Sequence, residues 1–188
     1  DFNLSESTGQ WVTTVFMLVN GIMIPITAFL METYTTRRLF LTSMAIFIVG
    51  TIVCLFAINF PLLMVGRVVQ AAAAGIMMPL MMTIFMLIFP IERRGFAMGM
   101  AGLVIAFAPA IGPSLAGWLV EMMHWRFLFL IILPLCLIDL IFAYFFMGNI
   151  IKRTFPKVDY PSIVLSIFGF GGILFGFSNV GNYGWVHP

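Results

Sequence analysis

The chain has 188 residues, of which 62% are hydrophobic and 9% charged, with 21 Phe, 15 Met and a mean hydropathy of +1.13. A soluble domain carries about a quarter charged residues, so water is not the main solvent of this chain. The net charge of +2 is small and dispersed, which argues against a nucleic-acid partner, and Cys54 and Cys136 inside apolar runs supply neither a disulfide framework nor a zinc site.

Charged residues punctuate runs that each exceed the roughly 20 apolar residues needed to cross a bilayer. They predict six helical spans at roughly 11–31, 39–58, 61–89, 95–120, 125–147 and 161–181. Helices are expected because lipid satisfies no backbone polar group, and the runs lack the alternation of a transmembrane barrel strand. The expected fold class is therefore all-α, a polytopic transmembrane helical bundle.

The first span begins with polar and acidic residues, DFNLSESTGQ, which is no secretory signal. The loop after it, METYTTRRLF, places Glu32 five residues before Arg37, close enough for an ion pair between the flanking helix ends, with Arg38 beside it. Such an exposed pair contributes little. Its other reading is a solvated topology signal.

The third run, LLMVGRVVQAAAAGIMMPL, holds Arg67 some six residues inside the span, about 9 Å from its end at 1.5 Å per residue. A cation at that depth usually faces a bundle interior or a watery cavity and marks an ion or proton route. Gln70 and Ala71 share its helix face, so Arg67 is expected to look toward a polar, thinly packed strip. A snorkelling arginine at a misplaced boundary is the plainer alternative.

The loop before the fourth span, FPIERRGFAMGM, combines a proline stop, charges, and Gly95 and Gly99 for a tight turn into a closely packed helix. In that span Ala108, Gly112 and Ala116 recur every four residues, and so do Pro109, Pro113 and Gly117. Small residues let another backbone approach, and the two prolines remove ladder hydrogen bonds at mid-membrane. Ordinary small-residue packing would explain the periodicity alone.

The fifth run contains Asp139, an acid about fourteen residues from the outer end of its helix. It could carry protons, bind a cation, or persist as a protonated, structurally tolerated carboxyl. It lies on the order of 12 Å deeper than Arg67, so a direct pair would need helix offset or tilt. The last run is rich in glycine, from Gly169 to Gly184. No Ser, His and acid constellation, His cluster or phosphate loop is visible, so no enzyme and no cofactor is expected.

Orientation follows from the basic residues. Arg37, Arg38, Arg93, Arg94, Lys152, Arg153 and Lys157 lie in loops on one side, against Arg126 on the other, so that side is expected to be cytoplasmic. The first span then enters from outside. The start at Asp1 and the stop just beyond the sixth span read as a chain lacking an upstream span and a second half.

Several strings together resemble the major facilitator superfamily, in its drug:proton antiporter branch of fourteen spans, over nearly the whole chain. GPSLAG at 112–117, preceded by APAI and followed by Trp118 and Leu119, is similar to the antiporter motif of the fifth span. Arg67 and Gln70 stand where the fourth-span motif has its arginine and glutamine. Trp125, Arg126, Phe129 and Pro134 fit WRxxFxxxxP, and Gly169 to Gly176 with Gly184 and Trp185 fit the segment beyond. Trp11 with IPITAFL at 24–30 resembles the second span.

There are departures. Where the loop after the second span usually reads GxLADRxGRR, Ala28, Glu32, Thr33 and Thr35 replace the Gly, Asp, Arg and second Gly, leaving Arg37 and Arg38. Ile132 replaces an asparagine, and no acid of the family corresponds to Asp139.

The resemblance implies spans two to seven of fourteen, with residues 1–160 as an incomplete N-terminal six-helix bundle and 161–188 as an additional central span. It implies a multi-pass cell-membrane efflux transporter exchanging protons for small hydrophobic, amphipathic or cationic drugs. Arg67, Gln70 and Asp139 would serve proton coupling, Pro109, Gly112, Pro113 and Gly117 the antiporter motif, and Glu32, Arg37 and Arg38 the loop motif. Partners would be the lipid bilayer, protons, the drug and the other half of the transporter. The alternatives are a solute uptake symporter of the same superfamily and a six-span membrane scaffold subunit.

Overall fold

The computed structural model describes residues 6–150 and 160–183. They form six helices: α1 Glu6–Thr33, α2 Thr36–Leu55, α3 Phe60–Ile88, α4 Ile91–Met122, α5 Arg126–Phe146 and α6 Tyr160–Tyr183. The all-α expectation holds, with no strand among the described residues. Five helices are long and apolar enough to cross a membrane, and α6 contributes a shorter described apolar stretch, Val164–Leu174. The chain is a multi-pass membrane protein.

Local chemistry sets the boundaries. The second helix ends at Leu55, short of the expected 58, because Asn59 caps the next helix: its side-chain oxygen accepts from the Leu62 N–H at 2.9 Å. Pro61 sits in the first turn, where its missing N–H costs nothing. Thr35 caps α2 through the Arg38 N–H at 3.4 Å. Pro25, Pro79, Pro109, Pro113 and Pro134 all lie inside continuous helices, as membrane helices permit.

The connections from α1 through α5 are short, which makes sequence neighbours antiparallel. In space the order is α6, α1, α3, α2, α5, with α4 touching only the margins of α3 and α5. The helix α3 is central. One of its ends packs with α2 around Cys54, Ala57, Leu63 and Phe129, and the other with Leu39, Ile76 and Leu80. Ala97 and Ala101 are the buried residues of α4, whose outer length exposes Phe107, Ile111, Leu115 and Trp118.

Two ties hold the opposite rims. At one, Arg126 donates from Nη2 to the Ala57 carbonyl at 2.7 Å, while Phe129 meets Trp125 edge to face. At the other, Arg37 donates to the Tyr144 carbonyl at 2.6 Å, and the Ile150 N–H reaches the Thr36 hydroxyl at 3.4 Å. Lys152, Arg153 and Lys157, along with Gly184 and Trp185, lie outside the described residues.

Candidate functional site: a half-buried arginine at a three-helix junction

The candidate site begins with close backbone approach. Gly50 of α2 and Gly66 of α3 face each other: a Cβ at Gly50 would meet the Gly66 carbonyl at 2.9 Å and the Gln70 nitrogen at 2.8 Å. A Cβ at Gly66 would meet the Cys54 sulfur at 2.5 Å. On the other flank of α3, Gly75 admits α1, since a Cβ there would stand 2.9 Å from the Asn20 carbonyl. Thr27 of α1 lies within donating distance of the Gly75 carbonyl, at 3.1 Å, and of the Met23 carbonyl, at 2.7 Å. Small residues bring the helices together, and polar groups then join them.

Arg67 lies where α1, α2 and α3 meet. Its Nη1 donates to Gln70 Oε1 at 3.2 Å, and its guanidinium carbon stands 4.3 Å from the centre of the Phe16 ring of α1. A cation over an aromatic face is favourable, more so out of water. Gln70 is 1% exposed, and its amide nitrogen donates to the Thr51 hydroxyl of α2 at 2.8 Å. The Cys54 thiol lies 3.8 Å from the same Gln70 Oε1 and 3.7 Å from the Leu63 carbonyl.

One donor is left over. The Nε–H of Arg67 is buried and has no partner among the described residues. A buried polar atom without a partner is rare and requires a reason. Arg67 forms no ion pair with an acid among the described residues. Gln70 holds it from one side and Phe16 roofs it from another.

The other candidates are placed apart. Asp139 is exposed on α5 and touches neither Arg67 nor Gln70 among the described residues. The expected ion pair of Glu32 with Arg37 is not formed among the described residues: Arg37 reaches the end of α5 instead, with its guanidinium carbon 5.4 Å from the Tyr144 ring centre. The free carbonyls at that helix terminus offer a ready acceptor for the fork. Arg38 contributes its backbone N–H to the α2 cap.

The stripe of Ala108, Gly112 and Ala116 with Pro109, Pro113 and Gly117 lies on open α4. A Cβ added at Gly112 or Gly117 would meet nothing within 4 Å, and the same is true at Gly95 and Gly99. The tight packing expected after the Gly95 turn is thus absent among the described residues. An apolar crevice of about 340 Å³ separates α3 from α4, lined by Phe85, Phe89, Phe96 and Met100 among others. No group of three His, Cys, Asp or Glu side chains that could hold a metal occurs among the described residues.

Sequence reasoning missed Phe16, Thr51 and Cys54. The usable signal was the matched spacing of Gly50 with Cys54 and Gly66 with Gln70, one helical turn apart on each helix. Once these glycines are paired, Thr51 is the hydroxyl beside the contact.

The family described as Major Facilitator Superfamily matches residues 1–174. The chain is 60% identical over 185 residues to "Uncharacterized MFS-type transporter YcnB" of Bacillus subtilis, covering 98% of this chain and 39% of that protein. It is 46% identical over 184 residues to "Lincomycin resistance protein LmrB" of Listeria monocytogenes, covering 98% of this chain and 39% of that one. With "Multidrug export protein EmrB" of Haemophilus influenzae the identity is 34% over 171 residues, covering 89% of this chain and 34% of the relative. The chain therefore spans between a third and two fifths of the length of these relatives.

Proposed function

Since the chain belongs to the major facilitator superfamily, we propose that its full-length protein is a proton-coupled efflux transporter for small hydrophobic, amphipathic or cationic drugs. The printed names of two relatives, a lincomycin resistance protein and a multidrug export protein, support export as the direction. The observation that carries the reading is the Arg67 centre: a cation at a three-helix junction, braced by Gln70 and Phe16, with a buried Nε–H and no partner for it among the described residues.

Such a donor suits a carboxylate supplied from outside the described residues. While that acid is ionised it pairs with Arg67; once protonated it loses the pair and the helices are free to shift. Alternating protonation and drug binding then drives alternating access. Arg67 and Gln70 are the coupling residues of this scheme. Asp139 is not, because it lies away from them.

The α1–α2, α3–α4 and α5–α6 connections are proposed to be cytoplasmic, from their arginines and lysines. Residues 1–160 are proposed as part of an N-terminal bundle and 161–188 as an added span. The open face of α4 is proposed to pack on the other half of the transporter, where Pro109, Gly112, Pro113 and Gly117 let it approach closely and restrict proton leak.

The test is dye efflux from cells expressing the full-length protein. Arg67→Ala is expected to reduce proton-dependent efflux at least tenfold with unchanged membrane abundance, about 1.4 kcal/mol or more of lost coupling. Wild-type efflux by this variant would remove Arg67 from the mechanism.

A further inference from the structure

The residue behind the Arg67 centre is Thr51, which neither the sequence motifs nor the family match singles out. Its hydroxyl lies 2.8 Å from the carbonyl oxygen of Phe47, one turn back on α2, and 2.8 Å from Nε2 of Gln70. A hydroxyl has one proton. A carbonyl can only accept, so that proton belongs to Phe47, and the Thr51 oxygen is left to accept from Gln70.

This commitment fixes the orientation of the Gln70 amide. With its NH2 turned to Thr51, its oxygen must face Arg67, which donates to it at 3.2 Å, and the Cys54 thiol at 3.8 Å. The flipped amide would set an NH2 group against a guanidinium that can only donate, and an oxygen against a hydroxyl whose proton is already used. The donors therefore run one way, from Arg67 through Gln70 and Thr51 to the Phe47 carbonyl.

Water does not compete, because Thr51 is fully buried and Gln70 nearly so. Slack is also removed: a Cβ at Gly50 would stand 2.9 Å from Cγ of Gln70, so the stem of that side chain packs closely on α2. The helix α2 supplies both the surface that holds Gln70 and the acceptor that orients it.

We infer that Thr51 is a positioning residue for Arg67, setting the direction of the guanidinium through the Gln70 amide. The inference rests on the coupling role proposed for Arg67. Without the hydroxyl, Gln70 keeps a buried donor with no acceptor, its amide is held from the Arg67 side alone, and the oxygen that Arg67 donates to is no longer fixed in direction from α2.

The full-length protein in lipid vesicles tests this with two assays: drug movement driven by an imposed pH gradient, and counterflow exchange of labelled for unlabelled drug, which needs no gradient. Thr51→Val keeps the shape and deletes the hydroxyl. It is expected to lower gradient-driven transport about tenfold while counterflow stays within about twofold of wild type, and Thr51→Ser is expected to restore gradient-driven transport. Equal loss in both assays, no loss in either, or failure of Thr51→Ser to restore would overturn the inference.

Should Thr51→Val not accumulate in the membrane, the smaller Thr51→Ala takes its place; failure of both means that Thr51 only holds the fold, and the inference falls. Arg67→Ala in the same vesicles separates the two readings. If it keeps gradient-driven transport, the coupling role of Arg67 fails; if it loses it while Thr51→Val behaves as wild type, the failure belongs to Thr51 alone.

Discussion

The α2–α3 contact and the α4 stripe are both written in small residues at helical spacing, yet the structure treats them oppositely. At Gly50 and Gly66 an added Cβ would strike backbone or sulfur within 3 Å, whereas at Gly112 and Gly117 it would meet nothing within 4 Å. The former contact encloses Gln70, Thr51 and Cys54; the latter faces outward beside exposed Phe107, Ile111 and Trp118. A small-residue stripe therefore marks a face that can be approached; the α2–α3 face is filled within this chain and joined by polar groups, and the α4 face stays open.

This contrast makes the glycines separable by experiment. Gly66→Leu in the full-length protein should abolish membrane accumulation, since the side chain would have to displace both Cys54 and the α2 backbone. Even Gly50→Ala should cost on the order of 1–3 kcal/mol, read as a lowered unfolding temperature of the purified protein. Gly112→Leu and Pro113→Leu should instead lower accumulation and unfolding temperature far less than Gly66→Leu does, while reducing drug efflux severalfold. If Gly112→Leu lowers accumulation as far as Gly66→Leu does, the two regions do not differ in the way described.

A smaller effect is expected at the rim, where Arg126 holds the Ala57 carbonyl. Arg126→Gln should destabilise by about 1.5–3 kcal/mol, the usual range for a hydrogen bond to a charged group, with transport by the remaining folded protein intact. The smallest effect belongs to Asp139. With no contact to Arg67 or Gln70, Asp139→Asn should leave proton-driven efflux within about twofold of wild type; a loss as large as that of Arg67→Ala would return Asp139 to the coupling machinery.

Much of the fold was legible because the bilayer leaves few options. Charges at Arg37, Arg93 and Arg126 punctuate the runs, and the helices fall close to the spans they delimit. The error at the end of α2 came from counting apolar residues through Ile58, when Asn59 and Pro61 already announced the next helix. Arg67 and Gln70 could be paired from their three-residue spacing on one helix, a local relation.

What joins different helices was not legible. Phe16 over Arg67, Thr51 under Gln70 and Arg37 against Tyr144 connect residues 19 or more positions apart in sequence. Helix periodicity gives each helix its faces and says nothing of which face meets which neighbour. The same limit explains why Glu32 and Arg37 looked like partners: proximity along the chain was visible, and the open carbonyls at the end of α5 were not.

The most direct measurement is proton release on drug binding to the purified full-length protein, wild type against Arg67→Ala, in weakly buffered solution. Coupling through Arg67 requires that drug binding displace protons, and linkage makes that displacement a binding property independent of transport rate. Wild type is expected to release protons on adding drug, and Arg67→Ala to bind the drug while releasing measurably fewer. Equal release from both proteins would contradict the assignment of proton coupling to the Arg67 centre.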